Sequence, residues 1–210
     1  MASYLYNNNN ADYRIKITLL GCSGVGKSSI IEKYMYDVFN YNIQTTIGTA
    51  FQYRYVSVDD KKLKIIINDT AGQEKYNSIP KMYYRDVNAF VIVYDVTDKQ
   101  TYENLEYWLR DVKENGNSNC DIYVIGNKID YCKELRMNTP EKISAELKDI
   151  CVKLLIPENS THYMEVSALT GNNINQLFDT IINNCINGKK YDNIAKDNNV
   201  TIQTEKSSCC

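Results

Sequence analysis

Gly21-Cys22-Ser23-Gly24-Val25-Gly26-Lys27-Ser28 is the stretch that decides the fold. It has the form G-x-x-x-x-G-K-[ST]. The apolar, strand-like run Ile15-Lys16-Ile17-Thr18-Leu19-Leu20 leads into it, and the helix-like run Ser29-Ile30-Ile31-Glu32-Lys33-Tyr34-Met35 leads out. Strand, glycine loop and helix in that order turn a string match into a phosphate site. The glycines let backbone N–H groups converge on phosphate oxygens, and the new helix directs its partial positive end at the same anion. Lys27 is placed to neutralise the β- and γ-phosphates, and Ser28 to set a hydroxyl on Mg²⁺. Without that context the same string is only a glycine turn before a helix.

The base is named further along. Asn127-Lys128-Ile129-Asp130, of the form N-K-x-D, follows the apolar run Ile122-Tyr123-Val124-Ile125-Gly126. A carboxylate at a strand end accepts two hydrogen bonds, from a ring N–H and an exocyclic amino group. Guanine presents that pair and adenine does not, so the unpaired carboxylate rejects adenine. The aliphatic stem of Lys128 can cover one face of the ring. Taken alone, the tetrapeptide is a polar turn after a strand.

Between these two lies Asp69-Thr70-Ala71-Gly72-Gln73-Glu74, after the strand-like run Leu63-Lys64-Ile65-Ile66-Ile67. Asp69 stands where a carboxylate would hold the metal through water. The Gly72 N–H can approach the γ-phosphate, and Gln73 can orient the attacking water. Thr46 is the candidate for a second Mg²⁺ hydroxyl. Ser167-Ala168-Leu169 follows the apolar run Met164-Glu165-Val166 and can bring the Ala168 N–H to guanine O6.

These five segments, in this order and spacing, resemble the small GTPases of the Ras superfamily from residue 21 to residue 169. Within it the chain is most similar to the Rab family. Ile47-Gly48-Thr49-Ala50-Phe51 resembles the Rab switch I signature, Tyr83-Tyr84-Arg85-Asp86 the segment after switch II, and Cys209-Cys210 a common Rab ending. Glu74 to Ser78 and the I-G-x-A-F form look closest to the early-endosomal subgroup. The resemblance implies an α/β P-loop GTPase domain: a doubly wound, mostly parallel six-stranded sheet, one antiparallel edge strand, and helices on both faces. It implies a GTP site of Ser23, Gly24, Val25, Gly26, Lys27, Ser28, Ser29, Phe39, Thr46, Gly72, Asn127, Lys128, Asp130, Ser167, Ala168 and Leu169. Mg²⁺ is implied on Ser28, Thr46 and Asp69, with Gln73 catalytic. Geranylgeranylation of Cys209 and Cys210 is implied, on the cytoplasmic face of vesicle membranes with a soluble cytosolic pool. The implied partners are an exchange factor, a GTPase-activating protein, a GDP-dissociation inhibitor and effectors.

Composition agrees with one soluble, intracellular domain. A chain of 210 residues is long enough to bury an α/β core without disulfide or metal staples. A net charge of −2, with no basic stripe, carries no nucleic-acid signal. No apolar run approaches the roughly 18 residues of a membrane span. Met1 to Asn10 lacks the regions of a signal peptide, and Ala2 stands where N-myristoylation needs glycine. Of seven cysteines, Cys22, Cys120, Cys132, Cys151 and Cys185 lie singly and read as reduced thiols. His162, the one histidine, reads as a surface residue. The C-terminal Ser207-Ser208-Cys209-Cys210 is not a C-a-a-X box. A single lipid chain holds marginally, so two prenyl chains make an anchor where one would not.

Residues 1–12 read as a disordered asparagine-rich arm, 13–187 as the domain, and 188–210 as a flexible tail. Strands are expected near 14–20, 52–58, 62–68, 88–94, 121–126 and 162–166, alternating with helices. The 52–58 run joins 62–68 through Asp59-Asp60 as an edge hairpin. Ile174, Leu177, Phe178, Ile181, Ile182, Cys185 and Ile186 recur at helical spacing as a core stripe. Thr139-Pro140-Glu141 reads as a capped helix start, and Trp108 as core.

Several positions depart from the Rab pattern. Asn68 stands where Rabs carry a tryptophan that contacts effectors, which weakens apolar docking. Asp86 replaces a glycine, and Leu169 a lysine that packs over the base. Between Asp130 and Ser167 the chain is about ten residues longer than typical, with the surplus in 131–138 or 156–162. Three functions fit these residues: a GTP-hydrolysing switch, a nucleotide-loaded scaffold that barely hydrolyses, and a P-loop ATPase. Gln73 and the metal ligands oppose the second; Asn127 and Asp130 oppose the third.

Overall fold

The computed structural model describes residues 11–41, 49–70, 81–131, 136 and 138–194. Elements run β1 (Tyr13–Leu20), α1 (Lys27–Tyr36), β2 (Thr49–Val58), β3 (Lys61–Thr70), β4 (Ala89–Asp95), α2 (Lys99–Glu103), α3 (Leu105–Asn115), β5 (Asp121–Asn127), α4 (Pro140–Leu154), β6 (Thr161–Glu165), α5 (Ile174–Asn187) and β7 (Asp192–Asn193). The main path of the sheet is β2-β3-β1-β4-β5-β6. β1, β3, β4, β5 and β6 are parallel, and β2 pairs antiparallel with β3 at the edge. The β2–β3 turn is Asp59-Asp60, with φ of 46° and 61°. Two left-handed residues give the turn twist that a tight hairpin needs, and Asp tolerates that region.

Period decides which face each strand buries. Ile15, Ile17, Leu19, Ile65, Ile67, Val91, Val93, Tyr123 and Ile125 pack with α1 and α5 in one core cluster. Leu20, Phe90, Ile92, Tyr94, Ile122 and Val124 pack with α3 and α4 in the other. The sheet is therefore doubly wound, as expected. All seven residues of the α5 stripe are buried. Phe178 lies stacked on Tyr34 with ring centroids 3.8 Å apart. Thr139 accepts a hydrogen bond from the Lys142 N–H at 3.4 Å and caps α4, with Pro140 at its first position. Trp108 is buried. Cys120, Cys151 and Cys185 are buried free thiols, Cys22 is a half-buried one, and Cys132 lies outside the described residues.

Two features add to the expected architecture. β7 is a seventh, two-residue strand that pairs antiparallel with the start of β1. Around it Tyr191 packs edge-on against Tyr13, Asp192 pairs with Arg14, and Lys190 meets the buried Asp121 at 2.7 Å. The chain thus stays packed through residues that read as tail. His162 is half-buried and stacked on Tyr123, with centroids 4.7 Å apart. Burial holds its imidazole below the ordinary value of 6.5, against the opposing charge of Asp121. No helix of the described residues is long and apolar enough to cross a membrane.

After β1 the chain goes to β2 and β3 on one side, then crosses to β4 on the other. That switch of direction opens a crevice at the carboxyl ends of β1 and its neighbours, where ligands bind in open α/β sheets.

Candidate guanine-nucleotide site

A cavity of about 390 Å³ occupies that crevice, a size suited to a small ligand. Three loops line it. Ser23, Gly24, Gly26, Lys27, Ser28 and Ser29 come from the loop after β1; Asn127, Lys128, Asp130 and Tyr131 from the end of β5; Ala168 and Leu169 from the loop after β6. Phe39, Asn40, Tyr41 and Thr70 close it.

The loop after β1 depends on its glycines at two points. Gly21 has φ of 134°, and a Cβ there would stand 2.2 Å from the Val93 carbonyl oxygen. Gly26 has φ of 96°, and a Cβ there would meet Asn127 Nδ2 at 2.4 Å. Gly26 is also the residue before α1, and no side chain caps that helix. The first-turn N–H groups therefore face the cavity, where an anion is favoured. Lys27 is buried, and its Nζ donates to the Gly21 and Cys22 carbonyls at 2.5 and 2.9 Å. Those bonds hold a cationic group on the floor of the loop. Val25 contributes differently from its neighbours: its side chain lies in the core, and its carbonyl faces Asn127.

Asn127 ties the three loops together. It is 1 % exposed. Its Nδ2 donates to the Val25 carbonyl at 2.8 Å, and its Oδ1 accepts from the Ala168 N–H at 3.1 Å. Asp130 is fixed next to it, because the Ser167 hydroxyl donates to Asp130 Oδ1 at 2.5 Å. Ser167 thus braces the carboxylate rather than lining the cavity. Lys128 adopts φ of 71° and places its ammonium 2.7 Å from Asp95 Oδ2. That anchor leaves the aliphatic stem along the cavity wall.

The oxygens expected to hold a metal also meet. The Ser28 hydroxyl donates to Asp69 Oδ2 at 2.6 Å. Asp69 Oδ1 is buried and has no hydrogen-bond partner among the described residues. Burial pushes the Asp69 carboxyl above its ordinary range, against the Ser28 hydrogen bond and the Lys27 charge. A buried carboxylate with an orphaned oxygen beside a hydroxyl is a donor set that suits Mg²⁺, which takes few protein oxygens and completes its shell with water and phosphate. Thr46, Gly72, Gln73, Cys209 and Cys210 lie outside the described residues.

Comparison with known proteins agrees with this arrangement. The family model described as Ras family matches residues 16–187. Ras-related protein SEC4 of Saccharomyces cerevisiae is 34 % identical, covering 97 % of this chain and 94 % of its own. Ras-related protein Rab-13 of Bos taurus is 32 % identical over 94 % and 92 %, and RABA1b of Arabidopsis thaliana 35 % over 91 % and 85 %. The chain belongs to the Rab family of small GTPases. That family is one of GTPase switches, which makes the cavity the candidate for its guanine-nucleotide site.

Against the Rab pattern, the departures acquire physical form. Asn68 is wholly buried and turned inward: Nδ2 donates to Thr18 Oγ1 at 2.8 Å, and that hydroxyl donates to the Tyr83 carbonyl at 3.0 Å. Asn68 Oδ1 has no partner among the described residues. The amide is withheld from the surface, and Phe51, its cross-strand neighbour, stacks on Tyr83 with centroids 5.9 Å apart. Asp86 has φ of 56°, in the left-handed region that favours glycine. Leu169 is 36 % exposed at the cavity mouth, opposite no lysine stem of its own loop. Asn40, Tyr41, Thr70 and Tyr131 also line the cavity, and of these only Thr70 stands inside a motif, directly after Asp69. Adjacency to Phe39, Asp69 and Asp130 is the signal that points to them.

Proposed function

We propose that this Rab binds GTP and Mg²⁺, hydrolyses GTP slowly, and recruits effectors in its GTP state at vesicle membranes, with an endosomal membrane as the favoured site. The observation that carries the reading is Asn127, which joins the phosphate loop, the base-reading loop and the Ala168 loop around one cavity. Lys27 and the amides from Gly24 to Ser29 hold the phosphates. Asp130 accepts the two guanine donors, braced by Ser167, while Phe39, Lys128 and Leu169 pack on the ring. The Ala168 N–H is shared between Asn127 and guanine O6, as bifurcated donors often are. Ser28, Asp69 and Thr46 hold Mg²⁺, which neutralises phosphate charge when bound. Gln73 orients the attacking water, and the Gly72 N–H meets the γ-phosphate.

No arginine lines the cavity among the described residues. Catalysis by this chain is then positioning, and an activating protein supplies the missing cation, a contribution of about 10³–10⁵ in rate. An exchange factor resets the switch. Two prenyl chains on Cys209 and Cys210 hold it on the membrane, and a GDP-dissociation inhibitor keeps the cytosolic pool; intact mass of the cellular protein reads the lipids directly.

Single-turnover hydrolysis tests the reading. Gln73→Leu should keep GTP affinity and lose most of the hydrolysis rate, with and without an activating protein. A wild-type chain that retains GTP without turning it over, under the same conditions, would make it a nucleotide-loaded scaffold instead.

A further inference from the structure

Arg136 lies six residues beyond Asp130, between β5 and α4. Its guanidinium hydrogen-bonds Glu165 Oε1 at the end of β6. The two side chains are 19 % and 14 % exposed. Glu165 Oε1 also accepts from the Tyr163 hydroxyl at 2.7 Å, and Tyr163 meets the Tyr94 hydroxyl at 3.0 Å. Tyr94 in turn lies across Gly126, where a Cβ would stand 2.7 Å from its oxygen. Gly126 directly precedes Asn127. Hydrogen bonds thus run from Arg136 through Glu165 and Tyr163 to Tyr94 of β4, whose hydroxyl end lies against Gly126 near the end of β5.

The connectivity closes a ring. Asp130 is bonded to Ser167, Ser167 is two residues from Glu165, and Glu165 is bonded to Arg136. Arg136 and Asp130 are therefore both held by the short stretch that runs from Glu165, the last residue of β6, to Ser167. We propose that Arg136 is a positioning residue for guanine recognition: by clamping Glu165 it holds the loop that aims Asp130 at the base. An arginine suits the task, because its planar fork fixes direction as well as charge. A mostly buried pair also makes the clamp stiff, since removing one partner strands the other. This inference rests on the cavity's being a guanine site, and the test below separates the two.

Dissociation constants of the full-length, Mg²⁺-containing protein are measured for GDP, for IDP, which lacks the exocyclic amino group, and for ADP. If Arg136 acts through Asp130, Arg136→Gln weakens GDP about tenfold, the scale of a lost charged hydrogen bond. IDP weakens less, because one of the two bonds to Asp130 is already absent. Arg136→Gln adds nothing further to GDP binding in an Asp130→Ala background, the non-additivity expected of residues that act as a unit. Arg136→Lys, which keeps the charge without the fork, recovers part of the loss. Equal losses for GDP and IDP, additivity with Asp130→Ala, or unchanged GDP affinity in Arg136→Gln would each overturn the positioning role while the wild-type preference for GDP stands. Equal GDP and ADP affinity in the wild type would overturn the guanine reading itself, and this inference with it.

Discussion

Asn127→Ala should weaken nucleotide binding more than it weakens the fold. The side chain is 1 % exposed, and its amide bonds the Val25 carbonyl at 2.8 Å and the Ala168 N–H at 3.1 Å. Truncation strands one buried acceptor and one buried donor, each at about 1–3 kcal/mol. Together that is about 2–6 kcal/mol, and water entering from the adjoining cavity lowers it to about 2–3 kcal/mol. Both bonds secure loops rather than the two apolar clusters that hold the sheet to its helices. The loss should therefore appear chiefly when nucleotide must order those loops. At about 1.4 kcal/mol per decade, the dissociation constant rises about 30- to 150-fold. A fluorescent GDP analogue gives the affinity and its off-rate, and a thermal melt gives stability. An affinity within threefold of wild type, or a melting-temperature drop that absorbs the whole effect, would refute the role of Asn127 as the tie between loops.

Asn68→Leu should leave stability within about 1 kcal/mol of wild type or raise it, because it removes a buried acceptor that has no partner; urea denaturation reads this, and a loss above about 2 kcal/mol would contradict it. Asn68→Asp should be clearly destabilising, since it adds an uncompensated buried charge beside Asp69. His162 is buried toward its neutral form, so the unfolded chain binds more protons below the ordinary value of 6.5. Stability from this group is thus fully present above that pH and falls as pH drops through it. The slope should vanish in His162→Gln, and an identical pH profile in wild type and variant would refute it. Asp86→Val forces a β-branched residue into the left-handed region and should cost about 1–2 kcal/mol, whereas Asp86→Gly should not destabilise.

Most of the fold could be read in the chain because its signals are local. The Asp59-Asp60 hairpin, the Thr139-Pro140 helix start and the seven-residue stripe of α5 each rest on periodicity or turn chemistry within a few residues. The two motif loops that line the cavity were legible for the same reason: each motif names its own backbone. What stayed hidden depends on partners far away in sequence. β7 is two polar residues with no period, ordered by β1 and by Tyr13. Asn68 looks like a surface substitution until Thr18 is seen to take its amide across 50 positions. Ser167 reads as part of the pocket wall, yet its hydroxyl is spent on Asp130 across 37 positions. Arg136 belongs to no motif, and only β6 reveals its partner.

Nucleotide selectivity tests the central claim most directly. The purified full-length chain, stripped of nucleotide and returned to Mg²⁺, is titrated with GDP, GTP and ADP in competition against one labelled guanine nucleotide. With Asp130 reading the base, GDP and GTP compete at comparable low concentrations, and ADP fails even at about 10⁴-fold excess, the scale on which a site built to pair with a substrate's donors rejects an analogue that lacks them. Displacement by ADP at concentrations like those of GDP would contradict the assignment of the cavity to guanine.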